Sequence, residues 1–149
     1  MIRLDEKTQQ DFLNREWVKR IQDAGIDMSD AKYIITECEG RDCIAYIETV
    51  KVYGDKALEA MKSVPTYTLS ELLYKLDEYL FWKNDGGEEC SSSLKFLKDA
   101  PFYFWFYRDN NNKDCIESSF EHPIESAASL LIQCAKKGYS YVKDISGKE

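Results

Sequence analysis

Six consecutive aromatic residues at positions 102–107, "FYFWFY", constrain the fold of this 149-residue chain more than any other feature. Aromatic side chains favour β-strands, and a strand alternates its side chains between two faces. The first face carries Phe102, Phe104 and Phe106. Because phenylalanine has no polar atom to satisfy, this face is expected to enter the core. The second face carries Tyr103, Trp105 and Tyr107.

The tyrosine and tryptophan face has two interpretations. Helices cover it if the strand is central, because continuous apolar strands are usually buried on both sides. Alternatively it is an exposed recognition surface, since hydroxyl and indole groups suit half-wet interfaces. The polar run at 108–114 and the segment "CIESSF" predict that the strand continues into an antiparallel hairpin. This run lacks the glycine and the final glutamate of a calcium loop, so calcium binding is rejected.

Three segments have helical periodicity. In the first, Leu13, Trp17, Ile21 and Ala24 recur at intervals of four, four and three residues, and Gly25 is expected to end the helix. In the second, residues 66–82, a capping box of Thr68 and Glu71 precedes a stripe of leucines, which predicts a helix through the whole segment. The stripe is Leu69, Leu72, Leu73, Leu76 and Leu80. The third is an alanine-rich helix from Pro123 to a stop at Gly138, whose small residues allow close approach to a sheet. Its apolar face is Ile124, Ala127, Ala128, Leu131 and Ala135.

The rest of the chain favours strands and turns. Residues 33–52 predict a hairpin around Gly40, and residues 54–65 predict a short helix that stops before Pro65. Residues 83–93 form a charged, Gly- and Ser-rich segment that is expected to be a surface loop. A final edge strand is expected at "YSYV". Together these elements predict one α+β domain, residues 1–149, in which a mostly antiparallel sheet of about four to six strands packs against three to four helices.

The sequence has no catalytic or metal-binding signature. His122 is the single histidine, and its position before a proline indicates local turn chemistry. The five cysteines lack C-x-x-C spacing and are expected to be free thiols. Among them Cys43, Cys115 and Cys134 are predicted to be buried, Cys90 is predicted to be exposed, and Cys38 is ambiguous. We therefore predict no catalytic residue, no metal and no cofactor.

The net charge of −7 limits the class of partner. Nonspecific nucleic-acid binding depends on clustered Lys and Arg, which are missing here, so a direct nucleic-acid partner is not expected. Apolar runs are too short for a membrane span, and a cytoplasmic location is predicted. The acidic charge either only aids solubility or attracts a basic groove on another protein. The predicted binding residues are Tyr103, Trp105 and Tyr107 on the strand and Asp85, Glu88 and Glu89 in the acidic loop.

The segments "DAGIDMSDAKYII" and "PTYTLSELLYKL", with the aromatic hairpin and the alanine-rich helix, resemble small accessory proteins of phages and prophages of gut Firmicutes. The resemblance implies a shared α+β scaffold and no catalytic residues. Such proteins often bind and inhibit a host protein, including CRISPR effectors and other defence systems. The resemblance therefore implies that this chain is a non-enzymatic anti-CRISPR or related anti-defence inhibitor in the host bacterial cytosol. The alternative is a small-molecule or nucleotide-signal sequestering protein with aromatic stacking at its pocket and the 83–93 loop beside it. The oligomeric state stays open.

Overall fold

A computed structural model of the chain describes residues 2–3, 11–76, 79–83, 86–108 and 115–136. Contacts between residues divide the chain into two compact units, an N-terminal unit of residues 1–68 and a C-terminal unit of residues 69–149. Helices accompany antiparallel sheets, which confirms the predicted α+β class. The described strands form three sheets of four, two and three strands. A single domain over 1–149 stays a prediction.

The N-terminal unit contains a four-stranded antiparallel sheet in the order β1-β3-β2-β4. Its strands are β1 (Ile2–Arg3), β2 (Tyr33–Cys38), β3 (Arg41–Tyr46) and β4 (Val64–Thr66). The predicted hairpin is confirmed for β2 and β3, which turn at Gly40 with a φ of 75°. Pro65 lies in β4, at the edge of the sheet, where a residue without an N–H is tolerated.

The second strand of this hairpin ends earlier than predicted. It was expected to reach Val52, but helix α2 (Ile47–Val50) and a 3-10 turn (Lys51–Tyr53) follow Tyr46. Helix α3 (Asp55–Ala60) comes next. Val50 is 1% exposed and joins a buried cluster with Ile34 and Ala45. Helical geometry brings residues three apart to one side, so packing against this cluster outweighs the strand preference of β-branched residues.

Helix α1 (Arg15–Asp23) confirms the first predicted helix. Asn14 caps it, because the Trp17 backbone N–H donates to Asn14 Oδ1 at 3.0 Å. Of the predicted apolar face, Trp17 and Ile21 in the helix and Leu13 just before it are buried, and Ala24 is half-buried. Gly25, with a φ of 83°, follows the last turn as expected.

A buried tyrosine ties the loop before β2 to the end of β4. Tyr67 is 1% exposed, and its hydroxyl donates to Asp30 Oδ1 at 2.5 Å. Asp27 shapes the same loop, because its Oδ1 accepts the Ser29 backbone N–H at 3.0 Å. This contact confirms the turn expected from short polar side chains at this point.

We expect Tyr67→Phe to lower the free energy of unfolding by about 1 to 2 kcal/mol, because it removes the hydroxyl donor and leaves the ring in place. Urea unfolding measures the change. Tyr53→Phe is the matched control, since Tyr53 is 60% exposed, and its effect is expected to stay within about 0.5 kcal/mol. Equal effects of the two substitutions would contradict a stabilising bond from Tyr67 to Asp30.

The described residues of the C-terminal unit form two helices and two antiparallel sheets. The helices are α4 (Leu69–Lys75) and α5 (Pro123–Lys136). One sheet pairs β5 (Tyr79–Lys83) with β6 (Glu89–Ser93). The other has the order β7-β8-β9, with β7 (Lys95–Asp99), β8 (Phe102–Arg108) and β9 (Cys115–Phe120). In the described part of the chain, no helix has the length and apolar character needed to span a membrane.

The second predicted helix is only half right. It begins directly after Thr68, as the capping box predicts, but it ends at Lys75 and the chain from Tyr79 to Lys83 forms β5. Leu72 and Leu76 are buried, whereas Leu80 belongs to the strand. The aromatic residues of "YLFW" favour a strand, and pairing with β6 supplies the backbone hydrogen bonds that this strand needs. Leu80 therefore lies at a helical spacing from Leu76 only by coincidence, because it is not part of the helix.

The predicted 83–93 loop is wrong at both ends, because Lys83 lies in β5 and residues 89–93 form β6. The strand β6 alternates in burial, with Cys90 and Ser92 each 7% exposed. Cys90 was predicted to be exposed and is buried. Serines carry little hydrophobic signal, so the alternation was hidden in the sequence. Cys43 and Cys134 are buried as predicted, and Cys38, Cys43, Cys90 and Cys134 are in no disulfide. The predicted burial of the Cys115 side chain lies outside what the structure describes.

The aromatic hairpin and the alanine-rich helix are confirmed. β8 pairs antiparallel with β9, and α5 begins at Pro123. Residues Ile124, Ala127, Ala128 and Leu131 of its predicted apolar face are buried, and Ala135 is half-buried. The polar turn at 109–114, the stop at Gly138 and the "YSYV" strand lie outside the described residues.

Candidate interaction surface

The three-stranded sheet of the C-terminal unit has two chemically different faces. The register pairs Phe96 with Trp105 and Leu97 with Phe104, and directly opposed residues of an antiparallel pair share a face. We call the first set the inner face: Phe96, Lys98, Tyr103, Trp105 and Tyr107. We call the second set the outer face: Lys95, Leu97, Asp99, Phe102, Phe104, Phe106 and Arg108.

Helix α5 packs on the inner face. The Trp105 indole Nε1 donates to the Pro123 carbonyl oxygen at 3.0 Å, and the Trp105 backbone N–H donates to Ser126 Oγ at 3.2 Å. Ser126 is fully buried, and Tyr107 is 1% exposed. The covered interpretation therefore describes Tyr107, whereas Trp105 is half-buried and its role in binding stays a prediction. Tyr103 is half-buried, so its role in binding stays a prediction.

The outer face contradicts the expectation that the phenylalanines enter the core. Phe102 is 41% exposed, Leu97 beside it is 52% exposed, and Phe104 and Phe106 are half-buried. A period of two assigns residues to faces but does not say which face meets a helix. Here the face with an indole donor packs on α5, where the Pro123 carbonyl oxygen accepts the indole N–H of Trp105.

Charged residues border this apolar surface. The Arg108 guanidinium carbon lies 5.1 Å from the centre of the Phe106 ring on the outer face. On β7, the edge strand, Lys95 and Asp99 are exposed on either side of Leu97. An apolar centre with a charged rim is the usual anatomy of a protein-binding surface.

The predicted acidic residues lie on a different sheet. Glu88 and Glu89 are exposed, and Glu89 pairs with Lys83 across β5 and β6. Asp85 lies outside the described residues. The Arg108 backbone N–H donates to Ser92 Oγ at 2.9 Å, which joins β6 to the end of β8. Glu89 is three residues from Ser92 along an extended strand, a separation of about 10 Å.

The single histidine takes part in a helix start. The His122 carbonyl oxygen accepts the Ser126 backbone N–H at 3.2 Å, in the first turn of α5. Within the residues that the structure describes, His, Cys, Asp and Glu form no group of three or more that could hold a metal ion. The geometry of His122 agrees with the turn chemistry expected from its sequence position.

Phe96 and Leu97 were not selected from the sequence. The signal that could have found them is "LKFLKD", in which two apolar residues stand between lysines just before the turn at Pro101. Such a lysine-flanked segment is typical of an edge strand. Comparisons with protein-family models, curated proteins and solved structures give no match for this chain.

Proposed function

We propose that this chain is a non-enzymatic, phage-type binding protein that binds and inhibits a host protein, such as a CRISPR effector or another component of anti-phage defence. The class of target comes from the resemblance to phage accessory proteins. The mode of action, binding without bond making, comes from the sequence, which offers no nucleophile paired with a base and no nucleotide-binding motif.

The exposed outer face is the observation that carries this proposal. Leu97 and Phe102 are about half-exposed beside Phe104 and Phe106. A cluster of exposed apolar side chains promotes aggregation unless a binding partner covers it. Aromatic side chains supply much of the binding energy at interfaces. We therefore place the main contact on the outer face and not on Tyr103, Trp105 and Tyr107.

Charge favours a basic partner. The chain carries a net charge of −7, and exposed Glu88 and Glu89 contribute to it. A defence protein that binds nucleic acid presents a basic groove, which an acidic surface attracts in place of the phosphate backbone. In this proposal the charge raises the rate of association, and the apolar outer face holds the complex together.

We expect Phe102→Ser to weaken capture of the target at least about tenfold, because truncating an aromatic residue that anchors an interface costs more than about 1 kcal/mol. The tagged protein is used to retain proteins from a bacterial lysate at low and at high salt, and the partner is then purified and its binding measured by calorimetry. Tyr74→Ser is the matched control, since Tyr74 is 83% exposed on α4 of the same unit. The control is expected to bind like the unmodified protein.

Binding must also be inhibitory. Adding the chain to the purified partner is expected to reduce the activity of that partner, and Phe102→Ser is expected to reduce it less. Equal binding by Phe102→Ser and the unmodified protein would exclude the outer face as the contact. A small molecule retained through purification, with no protein partner, would favour the sequestering alternative.

A further inference from the structure

Strand β7 is an exposed edge. Within the described parts of the chain it pairs only with β8, and all five of its residues are exposed. Phe96 is 45% exposed on the inner face, and Leu97 is 52% exposed on the outer face. The free side of an edge strand carries unpaired backbone N–H and C=O groups, which form hydrogen bonds with any strand that lies alongside.

The sequence of β7, "KFLKD", is complementary to itself when two copies run antiparallel. A two-fold axis at Leu97 places Lys95 opposite Asp99 of the second copy. It also places Phe96 opposite Lys98 of the second copy, and the two Leu97 residues opposite each other. We propose that two copies of this chain associate through β7, which joins their three-stranded sheets into one continuous six-stranded sheet. Because the contact is symmetric, each complementary pair occurs twice.

The charges specify this register. A two-fold axis perpendicular to the sheet keeps each side chain on its own face, so the register can shift only in steps of two residues. One shift places Lys98 opposite Lys98 of the second copy. The opposite shift places Lys95 opposite Leu97 of the second copy, so neither lysine–aspartate pair forms. Only the register centred on Leu97 pairs opposite charges and avoids like charges.

Both faces contribute to the contact. On the outer face, the two Leu97 side chains meet between two lysine–aspartate pairs. On the inner face, the Phe96 ring already lies 4.5 Å from the Trp105 ring, between centroids. Lys98 of the second copy is then placed opposite Phe96, where an ammonium group is attracted to an aromatic ring. Within one copy, the Lys98 ammonium lies 5.6 Å from the centre of the Tyr103 ring.

Five residues a side make a small interface, well below the standard size of stable complexes. The dimer is therefore expected to form with rising concentration, over a range of about 10 µM to 1 mM. This inference does not depend on the proposed function. Sedimentation equilibrium on the purified chain tests it with no host protein present, so failure of one proposal is distinguishable from failure of the other.

Exchanging the charges provides the decisive test. Lys95→Asp places aspartates opposite each other in both pairs, and Asp99→Lys does the same with lysines. Each variant alone is expected to dimerise at least about tenfold more weakly than the unmodified chain. Mixed in equal amounts, the two variants are complementary at both pairs and are expected to form a heterodimer. The double variant Lys95→Asp/Asp99→Lys is expected to dimerise like the unmodified chain.

Lys56→Asp and Asp55→Lys are matched controls, since they make the same charge changes at exposed positions of α3. They are expected to leave the dimer constant within about twofold. Circular dichroism verifies that every variant is folded. A chain that stays monomeric over the whole concentration range would overturn the proposal. So would single variants that dimerise normally, or a mixture that does not regain association.

Discussion

Tyr107→Ala is expected to lower the free energy of unfolding by about 3 to 5 kcal/mol, the cost of truncating a large buried aromatic side chain. Tyr107 is 1% exposed on the inner face of the three-stranded sheet. Its removal leaves a cavity that the neighbouring strands and α5 fill only in part. The change is measured by urea unfolding, and the melting temperature is expected to fall by roughly 10 °C for a chain of this length.

Tyr103→Ala is the control, because it removes the same side chain from the same face of the same strand. Tyr103 is half-buried, and its ring stacks on Phe96 at a centroid distance of 6.0 Å. A loss of about 1 to 2 kcal/mol is expected. If Tyr107→Ala proved as mild as Tyr103→Ala, the inner face would not be core at Tyr107. The tyrosine and tryptophan face would then be restored as a recognition surface.

The elements of the aromatic hairpin were predictable, but the orientation of the sheet was not. Six aromatic residues predicted β8, and Pro123 predicted the start of α5. Which face α5 covers depends on hydrogen bonds between distant residues, such as the indole of Trp105 with the carbonyl of Pro123. Transfer free energy alone favours burying phenylalanine. In this structure α5 instead packs on the face that carries the indole donor, and Phe102 stays 41% exposed.

Two errors in the C-terminal unit, the length of the second helix and the 83–93 loop, have one physical source, which is pairing between strands. The leucine stripe correctly predicted α4 up to Lys75, and only the partner strand β6 explains why the next residues form β5. That partner consists largely of serines, which give no hydrophobic alternation. Local preference cannot reveal such pairing, since long-range hydrogen bonds and packing override it.

The candidate surface was only partly accessible to sequence reasoning. The strand β8 was identified, and its phenylalanines were assigned to one face, as the structure confirms. The neighbour β7 was missed because its two apolar residues, Phe96 and Leu97, are adjacent and therefore lie on opposite faces. No face of β7 alone has an apolar pattern. Only pairing with β8 places Leu97 beside Phe102 and Phe104.

Ala127→Leu is expected to lower the free energy of unfolding by about 3 kcal/mol, because overpacking a filled core forces strained rotamers or a shift of the helix. Ala127 and Ala128 are both 0% exposed, so α5 has no room for a larger side chain at these positions. A shift of α5 would also lengthen the bonds from Trp105 to Pro123 and Ser126. The second measurement is a red shift of the Trp105 emission, recorded in a background in which Trp17 and Trp82 are replaced by phenylalanine.

Ala135→Leu is the matched control in the last turns of the same helix. Ala135 is half-buried, so its added methylenes can extend towards solvent, and leucine is nearly as good a helix former as alanine. A change within about 1 kcal/mol is expected. Equal tolerance of leucine at both positions would mean that α5 does not lie closely packed in the core at Ala127. The close packing of α5 against the inner face, which explains why the phenylalanines lie on the outer face, would then be contradicted.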